Sequence, residues 1–209
     1  MPILASDSYK RTLEIVDRLS IVDRSALQLL VAEHRAALEL IEFQQQRLES
    51  LTLLDELTGL KNRRGFMILA EHHVRMADRT RRPLVLIFAD LDGLKLINDT
   101  LGHAAGDEAI RCVGRALETS FRTTDIVSRF AGDELVVLAP ECAPDAVDVI
   151  IGRVHDALEG LPNKPCPLRL SMGHVVYDPR EEILSVEDLL SRADAAMYNQ
   201  KRLKKKRAG

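Results

Sequence analysis

Tryptophan is absent from this 209-residue chain, and five phenylalanines and three tyrosines bring the aromatics to only 4%. A net charge of −3 comes without any broad basic stripe, so nucleic acid is not expected as a partner. Three cysteines, Cys112, Cys142 and Cys166, form no CxxC pair and are odd in number. They indicate neither a disulfide framework nor a zinc site. No apolar run approaches the roughly 18 residues needed to span a bilayer, and no signal peptide is visible. The expectation is a cytoplasmic protein without direct membrane insertion. Internal repeats and low-complexity tracts are missing as well. What is present, 46% hydrophobic residues, suits one globular domain of about 150 residues plus an appendage.

The appendage is defined by another absence. From residue 25 to about 54 there is neither proline nor glycine, and Leu, Ala, Glu and Gln dominate. Asp23 or Ser25 offers an N-cap. Thirty helical residues would measure roughly 45 Å, too long for an ordinary surface helix. Ala37, Ile41, Gln44, Leu48 and Leu51 recur at alternating steps of four and three, a heptad seam in which Gln44 weakens the packing while fixing its register. An earlier helix, about residues 8 to 19, is expected to fold against its start. Residues 1–54 are therefore read as a helical dimerisation and regulatory segment, and residues 55–209 as the working domain. The competing reading packs the segment on its own domain.

Two acidic sites carry the chemistry. Residues 83 to 89 form a continuous apolar run, consistent with a strand buried on both faces, and the run ends in Asp90-Leu91-Asp92-Gly93. Carboxylates at the C-terminal end of a central strand stand where open sheets collect ligands. Further on, Ala131-Gly132-Asp133-Glu134-Leu135 lies between the strand-like flanks 125–130 and 135–138, a hairpin candidate. A two-residue type I′ link at Ala131-Gly132 would want positive φ at both, which Ala131 tolerates poorly. A slightly longer loop with Gly132 left-handed is the expectation. Oxygen ligands without a His/Cys cluster favour a hard cation, and Mg²⁺ binds through one or two carboxylates plus substrate phosphates. The pair resembles the palm of a nucleotidyl transferase. Taken singly, either acidic site could be no more than solvated turn residues.

The intervening residues make the resemblance specific. The chain resembles the GGDEF domain, the diguanylate cyclase family that condenses two GTP molecules into cyclic di-GMP. The matching pieces begin with Asp55-Glu56-Leu57-Thr58-Gly59-Leu60-Lys61-Asn62-Arg63-Arg64 and Asp90-Leu91-Asp92. They continue with Ile97-Asn98-Asp99-Thr100-Leu101-Gly102-His103, then Gly106-Asp107-Glu108. Ala131-Gly132-Asp133-Glu134-Leu135 and Ala193-Asp194-Ala195-Ala196-Met197-Tyr198 complete the series. The resemblance runs from about residue 55 to about 205.

It implies a palm-like α+β fold, with a central, mainly antiparallel sheet flanked by helices and a long N-terminal helical stalk before it. It further implies that Asp90 and Asp133 hold two divalent metals, Mg²⁺ or Mn²⁺, with an oxygen from the Leu91 carbonyl. Asp133 or Glu134 would help activate the ribose 3′-hydroxyl. Gly93, Leu94 and Lys95 would cradle the β- and γ-phosphates, joined by Lys201 and Lys205, with Gly132 close to the nucleotide. Asn98 and Asp107 would read guanine. A carboxylate can accept from guanine N1–H and N2–H₂, a donor pair adenine lacks, and such a site rejects the wrong pattern because its polar groups are left unpaired. Lys205 stands where arginine is more usual and supplies a point charge rather than a fork.

The reaction joins two bound GTP molecules. Two domains must therefore face each other, and a parallel helical stalk would raise their effective concentration. Arg122-Thr123-Thr124-Asp125 falls at the spacing of the family's RxxD inhibitory site for cyclic di-GMP; alone, the pattern is equally a surface ion pair. Two residues depart from the family motif, Ala131 for glycine and Leu135 for an aromatic. Neither removes a metal ligand, and the site is read as competent. The alternative is a degenerate domain that binds GTP or cyclic di-GMP and signals without turnover.

The remaining pattern predicts a helix from about residue 62 to 79, with His72 and His73 solvated, and another from 107 to 120. A third is expected over 145–158 with Val147, Val149, Ile150, Ile151, Val154 and Leu158 inward, then a strand over 168–176 and a last helix from 186 to about 204.

Overall fold

Strand β1 (Leu84–Leu91) is buried along all eight residues, and the rest of the domain is arranged around it. The computed structural model describes residues 21–49 and 52–208. The chain divides into two units, residues 1–51 and 52–209. In the first, helix α1 spans Ile21–Glu49. The second holds α2 (Arg63–Thr80), β1, α3 (Leu94–Leu101), α4 (His103–Ser120), β2 (Ile126–Ala131), β3 (Glu134–Pro140), a 3₁₀ turn (Pro144–Ala146), α5 (Val147–Gly160), β4 (Leu170–Tyr177) and α6 (Val186–Ala208). The strands form one sheet in the order β2-β3-β1-β4, every neighbouring pair antiparallel. The architecture is α+β, as the sequence implied.

The unbroken apolar run of β1 has a simple cause. Side chains alternate across a strand, and here both faces are covered. Leu84, Leu86 and Phe88 enter a core with Phe66 and Ala70 of α2 and Leu189, Ala193 and Met197 of α6. Val85, Ile87, Ala89 and Leu91 enter a second core with Ala109 and Val113 of α4 and Val154 and Leu158 of α5. Burying a side chain of this size contributes about 1.5–3 kcal/mol. Asp90 shares the parity of Leu84, Leu86 and Phe88, so it belongs to the face that α6 covers.

Several boundaries differ from the sequence reading, each for a physical reason. The helix expected to run to residue 54 is described over Ile21–Glu49, and residues 52–54 are not helical. Residues 52–54 are instead held by long-range bonds: Asn62 Nδ2 donates to the Thr52 and Leu54 carbonyls, and Asn62 N to that of Leu53. Those bonds override the leucine-rich helical propensity. Helix α4 starts at His103, with Gly102 as its N-cap, so Asp107 lies inside the helix rather than opening it. Val149 is 71% exposed, because it falls off the stripe made by Val147, Ile150, Ile151, Val154 and Leu158. The predicted helix over residues 8–19 and the side chains of Gln44, Leu48 and Leu51 lie outside the described residues. In α1, Ile41 is 52% exposed.

Candidate functional site

The acidic hairpin is tighter than expected. Ala131 pairs with Glu134, so the link is Gly132-Asp133 rather than Ala131-Gly132. Gly132 has φ +39°, while Ala131 does not enter the left-handed region. The extra methyl of Ala131 therefore meets no backbone penalty. A bulge between Arg129 and Ala131 supplies the strand twist that closes the turn. Phe130, within the bulge, packs edge-on to Phe66 at 5.8 Å and Phe88 at 6.1 Å, with the Arg63 guanidinium 4.7 Å from its ring centre. Leu135 is fully buried.

Two further bonds fix the turn. Leu91 N donates to the Asp133 carbonyl at 3.1 Å, tying it to the end of β1. Arg129 Nε donates to the Gly132 carbonyl at 2.9 Å, and Arg129 Nη1 pairs with Asp55 Oδ2 at 3.1 Å. Asp55 in turn accepts from Thr58 N and Oγ1 at 2.9 and 2.7 Å. Asp55 falls within the first of the family motifs, yet nothing in the sequence points to its contact with Arg129. Their pairing spans 74 residues and leaves no local signal.

Asp90 lies within β1, opposite Glu134 on one side and Ser171 on the other, and is 8% exposed. Its Oδ1 is 2.5 Å from the Lys201 Nζ. Burial pushes the Asp90 carboxyl above its usual range, Lys201 pulls it back, and the charges of Asp133 and Asp92 add to the rise. Glu134 is also raised, first by burial and then by Asp133, Asp194 and Asp90. Burial alone would lower the Lys201 ammonium, but Asp90, Asp92 and Asp133 outweigh it and hold it above its ordinary value. Negative charge thus concentrates at one end of the sheet. Ser171 Oγ donates to Asp92 Oδ1 at 2.8 Å, anchoring the next carboxylate to β4.

Asp92, Gly93, Leu94, Lys95, Asp133 and Lys201 line a cleft of about 1380 Å³, together with the end of α5 and residues of the segment leading into β4. Gly93 is the N-cap of α3, so the first amides of that helix open toward this region. Asn98 and Asp107 do not line the cleft. Asn98 sits on α3 with its side-chain oxygen against the backbone of Gly106, where a Cβ would collide with it. It is half-buried, and Asp107, next to Gly106 on α4, is exposed. The side chain of Lys205 lies outside the described residues. Arg122 and Asp125 close a turn at the opposite end of β2, roughly 20 Å of strand away. There Arg122 N donates to Asp125 Oδ2 at 2.8 Å, and Asp125 N to the Arg122 carbonyl at 2.9 Å.

Among the described residues no three His, Cys, Asp or Glu side chains converge as a metal cage. The chemistry of the donor set still suits a hard divalent ion, since Mg²⁺ takes one or two carboxylates and completes its shell with phosphate and water. Lys201 shows that a cation is accommodated against Asp90. Among the described residues no helix is long and apolar enough to cross a membrane.

A family profile described as "Diguanylate cyclase, GGDEF domain" matches residues 52–207. The probable diguanylate cyclase DgcC of Escherichia coli is 34% identical over 161 residues, covering 76% of this chain and 43% of that protein. The chain spans less than half the length of the curated relatives it matches. Among solved structures, the GGDEF domain of PA1120 (TpbB or YfiN) from Pseudomonas aeruginosa aligns with TM-score 0.65 and 33% identity, covering 72% of this chain and 89% of that one. The GGDEF domain of DgcB from Caulobacter crescentus, in complex with c-di-GMP, aligns with TM-score 0.66 and 25% identity, covering 72% and 88%.

Proposed function

This chain belongs to the GGDEF diguanylate cyclase family, and on that premise we propose that it condenses two GTP molecules into cyclic di-GMP and pyrophosphate across a homodimer. The observation that carries the reading is the meeting of Asp90, Asp133 and Lys201 at the sheet end beside an open cleft. Asp90, the Leu91 carbonyl and Asp133 would hold Mg²⁺ or Mn²⁺, two per half-site. When bound, such ions lower the pKa of a coordinated hydroxyl and stabilise charge on a phosphoryl group.

The remaining roles belong to the chain itself. Asp133 or Glu134 takes the proton of the 3′-hydroxyl, and burial of Glu134, which raises its carboxyl, suits it to that task. The amides at Gly93 and Leu94, with Lys95, Lys201 and Lys205, bind the β- and γ-phosphates and hold the leaving pyrophosphate. Gly132 lets the turn approach the nucleotide without a side chain. Asn98 and Asp107, on adjacent helices, orient guanine. Each half-site binds one GTP, so the 3′-hydroxyl of each nucleotide attacks the α-phosphate held by the partner, and pairing of the N-terminal helices brings the halves together. The exposed guanidinium side of the Arg122 turn is the candidate product-inhibition site with Asp125. The proposed compartment is the cytoplasm.

Purified protein given GTP and Mg²⁺ or Mn²⁺ should release cyclic di-GMP, and Asp133→Ala should stop it. No GTP consumption with either metal would overturn the reading. The alternative, a degenerate domain that binds GTP or cyclic di-GMP without turnover, would be selected by tight binding in calorimetry with no product. Removing residues 1–54 should keep GTP affinity and lower the rate.

A further inference from the structure

Lys201 reaches Asp90 because α6 is held against β4 at two consecutive points. At Gly173 the helix comes so close that a Cβ would collide with the Met197 amide and the Ala193 carbonyl. One turn further, the Gln200 side-chain carbonyl accepts from Met172 N at 2.8 Å. Lys201 follows directly, and Asp90 is paired with Ser171, the neighbour of Met172. The ammonium is thus placed by the fold, with its side chain 28% exposed and that of Asp90 12% exposed. It meets Asp90 Oδ1 at 2.5 Å and also feels the charges of Asp92 and Asp133. The carboxylate assigned to the metal is already satisfied by a cation that belongs to the chain.

We propose that Lys201 is the resident cation of the metal-free site, occupying Asp90 until a divalent ion displaces it, so that metal and ammonium compete for one carboxylate. This rests on the reading of Asp90 as a metal ligand. A buried carboxylate stripped of its partner is costly, and a lysine that stays until metal arrives avoids that state. Once displaced, the ammonium needs new anions, and the triphosphate in the adjoining cleft supplies them. Nucleotide therefore favours metal entry by giving Lys201 a second partner, and the coupling is reciprocal. Metal without nucleotide binds weakly because it must evict a charge that has nowhere to go.

The test is Mn²⁺ binding to the full-length chain without nucleotide, by calorimetry or by loss of the free-ion spin-resonance signal. Lys201→Met should tighten Mn²⁺ by roughly ten-fold, within the usual range for coupled sites, and adding Asp90→Asn should abolish the gain. Unchanged or weaker Mn²⁺ binding in a folded Lys201→Met protein would overturn the proposal. Should that variant fail to fold, Lys201→Gln carries the same expectation. The two layers separate cleanly. If Asp90→Asn leaves Mn²⁺ binding intact in both backgrounds, the metal role of Asp90 fails; if it removes binding while Lys201→Met gives no gain, the competition alone fails.

Discussion

Two acid-bearing turns close the ends of β2 and use their carboxylates in opposite ways. At the Arg122 end, Asp125 accepts from the amide of Arg122 three residues away, so the turn satisfies itself. At the other end, the Asp133 carboxylate accepts no hydrogen bond among the described residues. That turn is held through its backbone: Leu91 of β1 bonds the Asp133 carbonyl, and the neighbouring Arg129, locked by the distant Asp55, holds that of Gly132. Fixing a turn through its backbone leaves its side chain available to a ligand. The comparison separates an acid satisfied within its own turn from one left open to a ligand more sharply than exposure does, since both are half-buried.

The largest break in that comparison is Asp133→Ala. Loss of a supporting partner of a metal ligand already costs roughly 10–100-fold, so loss of a ligand itself should lower cyclic di-GMP formation by more than about 100-fold. Asp125→Ala should leave basal turnover in place, and an equal loss in both would erase the distinction. Next comes Leu135→Ala, which opens a cavity in the core beneath the signature turn. It should cost about 2–5 kcal/mol, read from the denaturant midpoint. Asp125→Ala removes one hydrogen bond to an amide, an expected stability loss of about 0.5–1.5 kcal/mol, together with weaker product inhibition. Ala131→Gly, restoring the family residue, should lower stability by roughly 0.5–1 kcal/mol and bring no gain in rate, because Ala131 does not occupy a conformation that requires glycine.

A control outside both turns should be silent at neutral pH. Burial and the bond to Asp78 push the Tyr177 hydroxyl from 10.0 up to about 12. Its folded pKa exceeds the unfolded one, so the stability it contributes is complete below pH 10 and is lost as pH rises through about 12. Ultraviolet titration should show one of the three tyrosines ionising late, and Tyr177→Phe should remove that step.

Much of this was legible because local chemistry carries it. The apolar run of β1, the start of α2 near residue 62 and the bracketing strands of the acidic hairpin follow from alternation, helix-opening and turn preference. Where the boundaries differ, contacts outside the local pattern set them. Residues 52–54 left the helix because Asn62 bonds their carbonyls, and the turn moved by one residue because the bulge at Phe130 and the Ala131–Glu134 pair set its register.

By itself, the sequence determined which residue types the protein offers and in what order: carboxylates at a strand end and a β-turn, an amide-rich helix start, a late lysine, and a leucine-rich helix before them. Tertiary structure decided which of these meet. The pairings of Asp55 with Arg129 and of Asp90 with Lys201 join residues 74 and 111 positions apart. Propensity and periodicity act over a few residues, whereas an ion pair between elements depends on strand register and on how closely a helix lies against its sheet. The sequence encodes both of these through the whole core at once.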